Sequence, residues 1–168
     1  MRPTPDPVGP GQESVWDYPR PPRLEPTPRR IRIQRGDVVL VDTVRALRLL
    51  ETSHPPTYYL PPDDIDMARM HRAAGRSSFC EWKGQAHYYD LRPDGGDAIA
   101  LDGVAWAYAN PVARFAALKD HLAFYPHEAL TCLVDDEIAR PQPGGFYGGW
   151  ITSDLAGPFK GSPGTMGW

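Results

Sequence analysis

The residues with the clearest chemical potential lie in the run Glu51-Thr52-Ser53-His54, which immediately precedes a pair of prolines. Histidine titrates near neutral pH, and a nearby carboxylate can orient its ring, so Glu51 and His54 are predicted to form a catalytic acid–base pair. Ser53 is not expected to be a nucleophile, because adjacent side chains in an extended chain point to opposite faces. The alternative is a histidine that only hydrogen-bonds the backbone at a rigid corner.

A second candidate lies in the middle of the chain, in Cys80-Glu81-Trp82-Lys83-Gly84. The glycine after Lys83 favours a tight turn that presents the ammonium, and an indole ring can support a lysine stem or a flat ligand. Aromatic side chains that alternate on one face of a strand can line a pocket or fill a core. The predicted ligand-binding residues are Trp82, Lys83, Tyr88, Trp106 and Tyr108. The alternatives are a solvated turn for Lys83 and core packing for the aromatic rings and for Cys80.

Three acidic residues, Asp63, Asp64 and Asp66, include a pair whose spacing suits a divalent metal. They also stand at a predicted helix start, where acids are favoured without any metal. The sequence has no C-x-x-C pair, no H-x-x-x-H and no glycine-rich phosphate loop of the common types. We therefore expect no bound metal and no cofactor.

Composition limits the class of protein. The 168 residues suit one domain, and five Trp, eight Tyr and five Phe supply the large apolar groups that disordered chains lack. The net charge of −3 and the absence of a long apolar run argue against nucleic acid and membrane as partners. We expect a cytoplasmic protein with two reduced cysteines that binds a small molecule; a homodimer remains open.

Apolar patterning predicts mainly β structure that positions these residues. Alternation and turn residues predict a hairpin over 31–41, strands over 58–60, 77–82, 85–91 and 98–108, a turn over 93–96, and a hairpin over 130–139. Short helices are predicted over 63–70 and from Asn110 and Pro111 onward. Because residues 1–30 contain nine prolines, we predict that they form an extended arm. We predict that residues 31–143 form the core. Residues 144–168 are rich in glycine and aromatic residues, and we predict that they form a tail whose aromatic rings are buried.

The order of these anchors resembles the bacterial and fungal family called domain of unknown function 427. The residues that carry the resemblance are 51–56, 58–61, 80–84 with Tyr88, 105–108 and 123–125. The arm over 14–22 and the tail over 141–150 look like the extended actinobacterial form of that family.

The resemblance implies a β-tent-like fold, with two antiparallel sheets, two short helices and extended terminal segments wrapped around them. Relatives of that fold carry zinc on C-x-x-C pairs, which this sequence lacks. The family is also described as nucleotidyltransferase-like, and it implies no established activity. The leading expectation is a pocket for an anionic or aromatic metabolite, with enzymatic use of His54 and Glu51 left open. The alternatives are a non-catalytic protein-interaction module or homodimer, and nucleotidyl transfer, which would require a divalent metal at Asp63, Asp64 and Asp66.

Overall fold

The fold is mainly β, as the sequence predicts. A computed structural model describes residues 1–93 and 98–168. The turn predicted over 93–96 extends outside the described residues. None of the helical segments in the described residues is long and apolar enough to cross a bilayer.

The larger sheet carries the candidate residues. Within the described part of the chain it has seven strands, every neighbouring pair antiparallel. Numbered in chain order and given in spatial order, they are β2 (Arg23–Thr27), β5 (Ala46–Leu50), β6 (Thr57–Leu60), β10 (Leu122–Phe124), β9 (Leu101–Ala107), β8 (Gly84–Leu91) and β7 (Met70–Cys80). The prolines of the arm had excluded a central strand there, and β2 is accordingly an edge strand.

A smaller sheet packs against one face of the larger one. Its order is β12 (Glu137–Ile138), β11 (Thr131–Val134), β3 (Ile31–Arg35) and β4 (Val38–Thr43). Ile31 and Ile33 are fully buried between more exposed neighbours, which is the alternation that predicted this strand. Both predicted hairpins, over 31–41 and 130–139, are confirmed.

The arm and the tail are joined to each other and to the sheets by two short pairings. Strand β1 (Glu13–Ser14) runs parallel to β15 (Leu155–Ala156), and β13 (Arg140–Pro141) pairs with β14 (Trp150–Ile151). The Trp16 indole N–H also donates to the Pro158 carbonyl at 2.9 Å. The arm is therefore extended and held against the tail.

The two predicted helices are 3₁₀ turns. Residues 63–70 contain η2 (Pro62–Asp64) and η3 (Met67–Arg69), and Met70 already belongs to β7. The α-helix prediction is wrong there because Ile65, between the two turns, is extended and forms a bridge with Val41. Another 3₁₀ turn, η1 (Val15–Asp17), begins the buried part of the arm.

The second predicted helix begins later than expected. It is η4 (Ala113–Leu118), which starts after Val112 rather than at Pro111. The Val112 N–H donates to the Lys83 carbonyl at 2.9 Å, so that residue is engaged by the neighbouring hairpin and is not helical. Phe115 and Leu118 are buried against the sheet, whereas Val112 and Ala116, which the spacing of apolar residues predicts on the same face as Phe115, are exposed.

Strand alternation gives the larger sheet two buried faces. Tyr58 and Leu60 belong to the core between the two large sheets, whereas Tyr59 points to the opposite side. Trp106 and Tyr108 join Tyr59 there, in a second cluster that η4 covers in part. This second face carries the candidate site.

Candidate functional site

A cavity of about 870 Å³ opens on the second face of the larger sheet. Its lining includes all seven of the residues singled out in the sequence: Glu51, His54, Trp82, Lys83, Tyr88, Trp106 and Tyr108. The structure thus brings together three runs of sequence, over 51–54, 82–88 and 106–108. The roles assigned to these residues stay predictions.

A row of side chains across four strands forms the floor of the cavity. Strand pairing places Tyr88 opposite Trp106, Trp106 opposite Ala123, and Ala123 opposite Tyr59. Paired residues of neighbouring strands share a face, so these side chains must lie side by side. The small Ala123 separates the two larger rings, and the Tyr59 and Trp106 centroids are 6.4 Å apart. The Trp106 ring also contacts Tyr125, with centroids 4.5 Å apart.

Lys83 enters the cavity from the turn that joins β7 to β8. Gly84 follows it with φ +111°, a conformation that side chains rarely adopt, and this allows the chain to reverse sharply. Lys83 is only 7% exposed, and its Nζ lies 5.8 Å from the centre of the Tyr108 ring. The lysine of this turn is therefore folded inward, and the alternative of a solvated turn is wrong.

The Lys83 ammonium makes no ion pair with the described residues. No carboxylate oxygen among them lies within ion-pair distance of it, and its side-chain partners there are the Cys80 thiol, through a hydrogen bond, and the Tyr108 ring. Burial lowers the pKa of Lys83, but Tyr59, Cys80 and Glu51 raise it by more, so the pKa lies above its ordinary value. Lysine is rarely buried unless it is paired. The cavity therefore holds a cation able to accept an anionic group.

Gln142 fixes the state of His54 at the other end of the cavity. Its amide nitrogen donates to the Lys160 carbonyl at 2.8 Å, and its amide oxygen accepts from the Gly149 N–H at 3.1 Å. The amide orientation is thereby set, so the 2.9 Å contact with His54 is a hydrogen bond donated to Nδ1. The ring proton must then be on Nε2, which lies 3.5 Å from Glu51 Oε2.

The His54 imidazole is uncharged at neutral pH. Burial, assisted by the positive charges of Lys160, Arg20 and Lys83, lowers its pKa to about 3. Glu51 also faces Arg20, whose guanidinium nitrogen is 3.4 Å from Oε2. The His54 Nε2–H therefore faces the Glu51 carboxylate in this state, and the acid–base role of the pair stays a prediction.

The tail closes this end of the cavity. Tyr147 packs edge-on against the His54 ring, with centroids 4.6 Å apart. A Cβ on Gly148 would overlap the Trp106 ring, so only glycine fits where the tail crosses the sheet. Trp150 is fully buried and donates its indole N–H to the Phe124 carbonyl at 2.9 Å. The prediction that the aromatic rings of the tail are buried is wrong for Phe146. Its side chain is 71% exposed and packs on Tyr147 beside the cavity.

Several cavity residues were not singled out as site residues in the sequence. They are Tyr59, Arg76, Tyr125, Gln142, Tyr147 and Lys160. A sequence pattern could have identified Lys160, because Phe159-Lys160-Gly161 repeats the aromatic–lysine–glycine order of residues 82–84. No sequence pattern indicates Gln142 as a site residue. Cys80, interpreted as a core residue, packs on the second cluster and also lines the cavity.

The three acidic residues of the nucleotidyl-transfer hypothesis lie outside the cavity lining. Asp64 accepts from Arg45 at 3.0 Å and from the Thr43 hydroxyl at 2.7 Å, and Asp66 accepts from Arg69 at 2.8 Å. Among residues 1–93 and 98–168, no group of three His, Cys, Asp or Glu side chains is arranged to hold a metal ion. Two of these carboxylates therefore serve structural ion pairs.

Comparison with known proteins gives a family without an assigned activity. No curated protein matches the chain. A family model described as a domain of unknown function (DUF427) matches residues 23–137, more than half of the chain. The matched region runs from the start of β2 into β12 and includes Glu51, His54 and Lys83, but not Gln142 or Lys160. The chain is therefore a member of the DUF427 family.

Proposed function

We propose that this protein binds a small anionic or aromatic metabolite in the cavity. The ligand would contact Trp82, Lys83, Tyr88, Trp106 and Tyr108. The observation that carries the proposal is the buried Lys83 ammonium, which lines an aromatic cavity and has no ion pair with the residues that the structure describes. A carboxylate or phosphate would supply a counter-charge where little water competes for it.

The aromatic row favours a flat ligand. Tyr88 and Trp106 stand side by side on adjacent strands, so a planar ring can lie against both while its anionic group reaches Lys83. Lysine acts as a compact point charge, which suits a carboxylate or a phosphate equally. The proposal therefore specifies a planar body with one anionic group.

Proton handling by His54 and Glu51 belongs to the same proposal. The neutral imidazole carries its proton on Nε2, as the Gln142 hydrogen bond requires. A ligand that brings negative charge close to the ring favours its protonated form, because opposite charge raises the pKa of a histidine. Whether the protein is an enzyme depends on that step. The cytoplasmic location is likewise a prediction from the sequence.

Calorimetry and thermal melting with 2-naphthoate test the proposal, with 2-naphthamide as the uncharged counterpart. We expect 2-naphthoate to bind and to raise the melting temperature, and 2-naphthamide to bind more weakly. Lys83→Met should weaken 2-naphthoate binding by roughly 30-fold, about 2 kcal/mol, because one partner of a desolvated charge pair is removed. Phosphate and phenyl phosphate, tested in the same way, show whether the cavity also binds phosphates as well as carboxylates.

The matched control is Lys119→Met, because Lys119 is exposed and does not line the cavity. It should bind 2-naphthoate like the wild type. The proposal is wrong if none of these anions binds, or if Lys83→Met binds them as tightly as the control does.

A further inference from the structure

Cys80 is a thiol in the same cavity. It is the last residue of β7, stands opposite Gly84 across the turn, and is partly exposed. The other cysteine, Cys132, is 2% exposed within the core between the two large sheets. Burial raises its pKa to about 12, so it is an inert thiol. The chain thus carries its own internal reference for cysteine reactivity.

A second feature makes Cys80 more than a lone cysteine. The turn brings the Lys83 ammonium, more than nine-tenths buried and without an ion pair in the described residues, to the same part of the cavity, where it hydrogen-bonds the thiol. The sulfur and the ammonium are therefore close enough to act on one bound molecule.

We propose that Cys80 captures flat aromatic α,β-unsaturated carbonyl compounds covalently, with the Lys83 ammonium facing the carbonyl oxygen. This inference rests on the proposed function in one respect, namely that the cavity admits a planar aromatic molecule. It adds a reaction and a nucleophile that binding alone does not require.

The reaction is a conjugate addition. The Cys80 sulfur forms a bond to the β-carbon of the alkene while the carbon–carbon π bond breaks, and its electron pair becomes an enolate on the carbonyl oxygen. The Lys83 ammonium stabilises that oxyanion, which is where negative charge develops. The proton lost by the thiol ends on the α-carbon. The product is a saturated thioether adduct, no group leaves, and no oxidant or reductant is consumed.

The aromatic rings favour this class of electrophile over small ones. Trp82 and Tyr88 belong, with Cys80, to the partly buried edge of the second cluster. A conjugated ring held against these side chains keeps its alkene near the sulfur, and such proximity accelerates bond formation. A small, non-planar reagent such as iodoacetamide gains nothing from the rings.

The probe is 4-phenylbut-3-en-2-one, followed by intact-protein mass spectrometry and peptide mapping. We expect one adduct, on Cys80, formed about tenfold or more faster than on N-acetylcysteine at the same pH, because the cavity holds both reactants. Cys132 should stay unmodified, and Cys80→Ser should give no adduct. Iodoacetamide should show a much smaller preference for Cys80 over N-acetylcysteine.

Substitutions of Lys83 test the role of the ammonium. Lys83→Met should lose most of the rate advantage with the enone, whereas Lys83→Arg, which keeps the charge, should retain a large part of it. Lys119→Met should react like the wild type. Circular dichroism of each variant separates loss of charge from loss of fold.

The outcomes distinguish this inference from the proposed function. If 2-naphthoate binds through Lys83 but Cys80 reacts no faster than N-acetylcysteine, or equally fast in Lys83→Met, covalent capture is overturned and the binding proposal stands. If Cys80 reacts rapidly through Lys83 but no anion binds, the anion proposal fails and covalent capture stands.

Discussion

The two ends of the cavity are built and charged differently. The Lys83 end, formed by Cys80, Trp82, Lys83 and Tyr108, comes from the sheet and its turn. The His54 end is formed by His54 together with Gln142, Tyr147 and Lys160, three residues that follow the family-matched region. One end is therefore part of the shared domain, and the other is completed by the tail.

Their hydrogen bonding differs as much as their origin. Lys83 has no ion pair among the described residues and hydrogen-bonds only the Cys80 thiol there, whereas Gln142 engages three partners and holds the His54 ring in one tautomer. Lys160, the other buried lysine, donates to the main-chain oxygen of Trp168 at 3.2 Å and lies 5.6 Å from the Tyr147 ring. Burial and Arg20 lower its pKa, opposite to the shift at Lys83. The proposed recognition of an anion therefore involves the end whose lysine has no ion pair among the described residues, and the hydrogen bonds of Gln142 hold the other end rigid.

The largest expected contrast is in stability. Gln142→Leu should lower the free energy of unfolding by about 3 kcal/mol, because it leaves buried hydrogen-bonding groups of His54, Lys160 and Gly149 without partners. Lys83→Met should change it by less than about 1 kcal/mol, since the only hydrogen bond of Lys83 among the described residues is to the Cys80 thiol, a weak hydrogen-bonding group. Urea denaturation measures both. Equal losses of unfolding free energy in the two variants would show that the two ends of the cavity do not differ in their contribution to stability.

A smaller loss is expected where the tail crosses the sheet. Gly148→Ala should cost about 2 kcal/mol, because its methyl group would overlap the Trp106 ring and force the tail away from the floor of the cavity. Gly167→Ala is the control, because a Cβ there would meet nothing. The same denaturation series applies, and a Gly148→Ala protein as stable as the control would show that the tail does not need this close approach.

Acid should weaken the His54 end selectively. The unfolded imidazole takes up a proton near pH 6.5 and the folded one near pH 3, so between these values the unfolded state binds more protons. The His54 contribution to the free energy of unfolding should be constant above pH 7. It should fall by up to ~1.4 kcal/mol per unit as the pH drops from about 6 to about 3.

His54→Gln is the reference for that titration, because other groups contribute alike to both proteins. The stability difference between wild type and variant should shrink, and then reverse in favour of the variant, as the solution is acidified. Denaturation curves at pH 7, 6, 5 and 4 measure it. A difference that stays constant with pH would mean that the imidazole is not held neutral in the fold.

The smallest effect is expected for the second buried lysine. Lys160→Met removes one hydrogen bond to a main-chain oxygen, so the free energy of unfolding should fall by about 1 kcal/mol or less. Affinity for 2-naphthoate should change far less than in Lys83→Met, as calorimetry would show. If Lys160→Met weakens binding as much as Lys83→Met, both ends of the cavity recognise the anion.

Sequence patterning predicts the sheet-borne half of the cavity because strand alternation has a fixed period. The pair Trp106 and Tyr108 can be assigned to one face from their spacing alone, and strand register then adds Tyr88. The mainly β class and the family are predictable for the same reason, since both depend on short regular strands and ordered aromatic anchors.

The half of the cavity that the tail completes depends on tertiary contacts that cannot be predicted from a local sequence pattern. Gln142 reaches His54 across 88 positions, through an irregular tail that only tertiary packing holds in place. The helix predicted over 63–70 fails for a related reason, because the bridge between Ile65 and Val41 overrides local propensity. The main chain at Lys83 likewise accepts a hydrogen bond from Val112, a residue outside the hairpin, so the surroundings of this turn cannot be predicted from the hairpin residues alone.

The main-chain bonds behind the cavity connect three distant parts of the polypeptide in series. The Ser53 N–H donates to the Val15 carbonyl at 3.0 Å, and the Lys160 N–H donates to the Ser53 carbonyl at 2.9 Å. A recombinant fragment that spans only the family-matched residues 23–137 would lack Val15 and Lys160, the two outer residues of that series. It would also lack the fully buried Trp150 indole. The cavity of such a fragment would lack the wall that the tail provides. A failure to detect ligands with the fragment would therefore not show that the intact protein binds none.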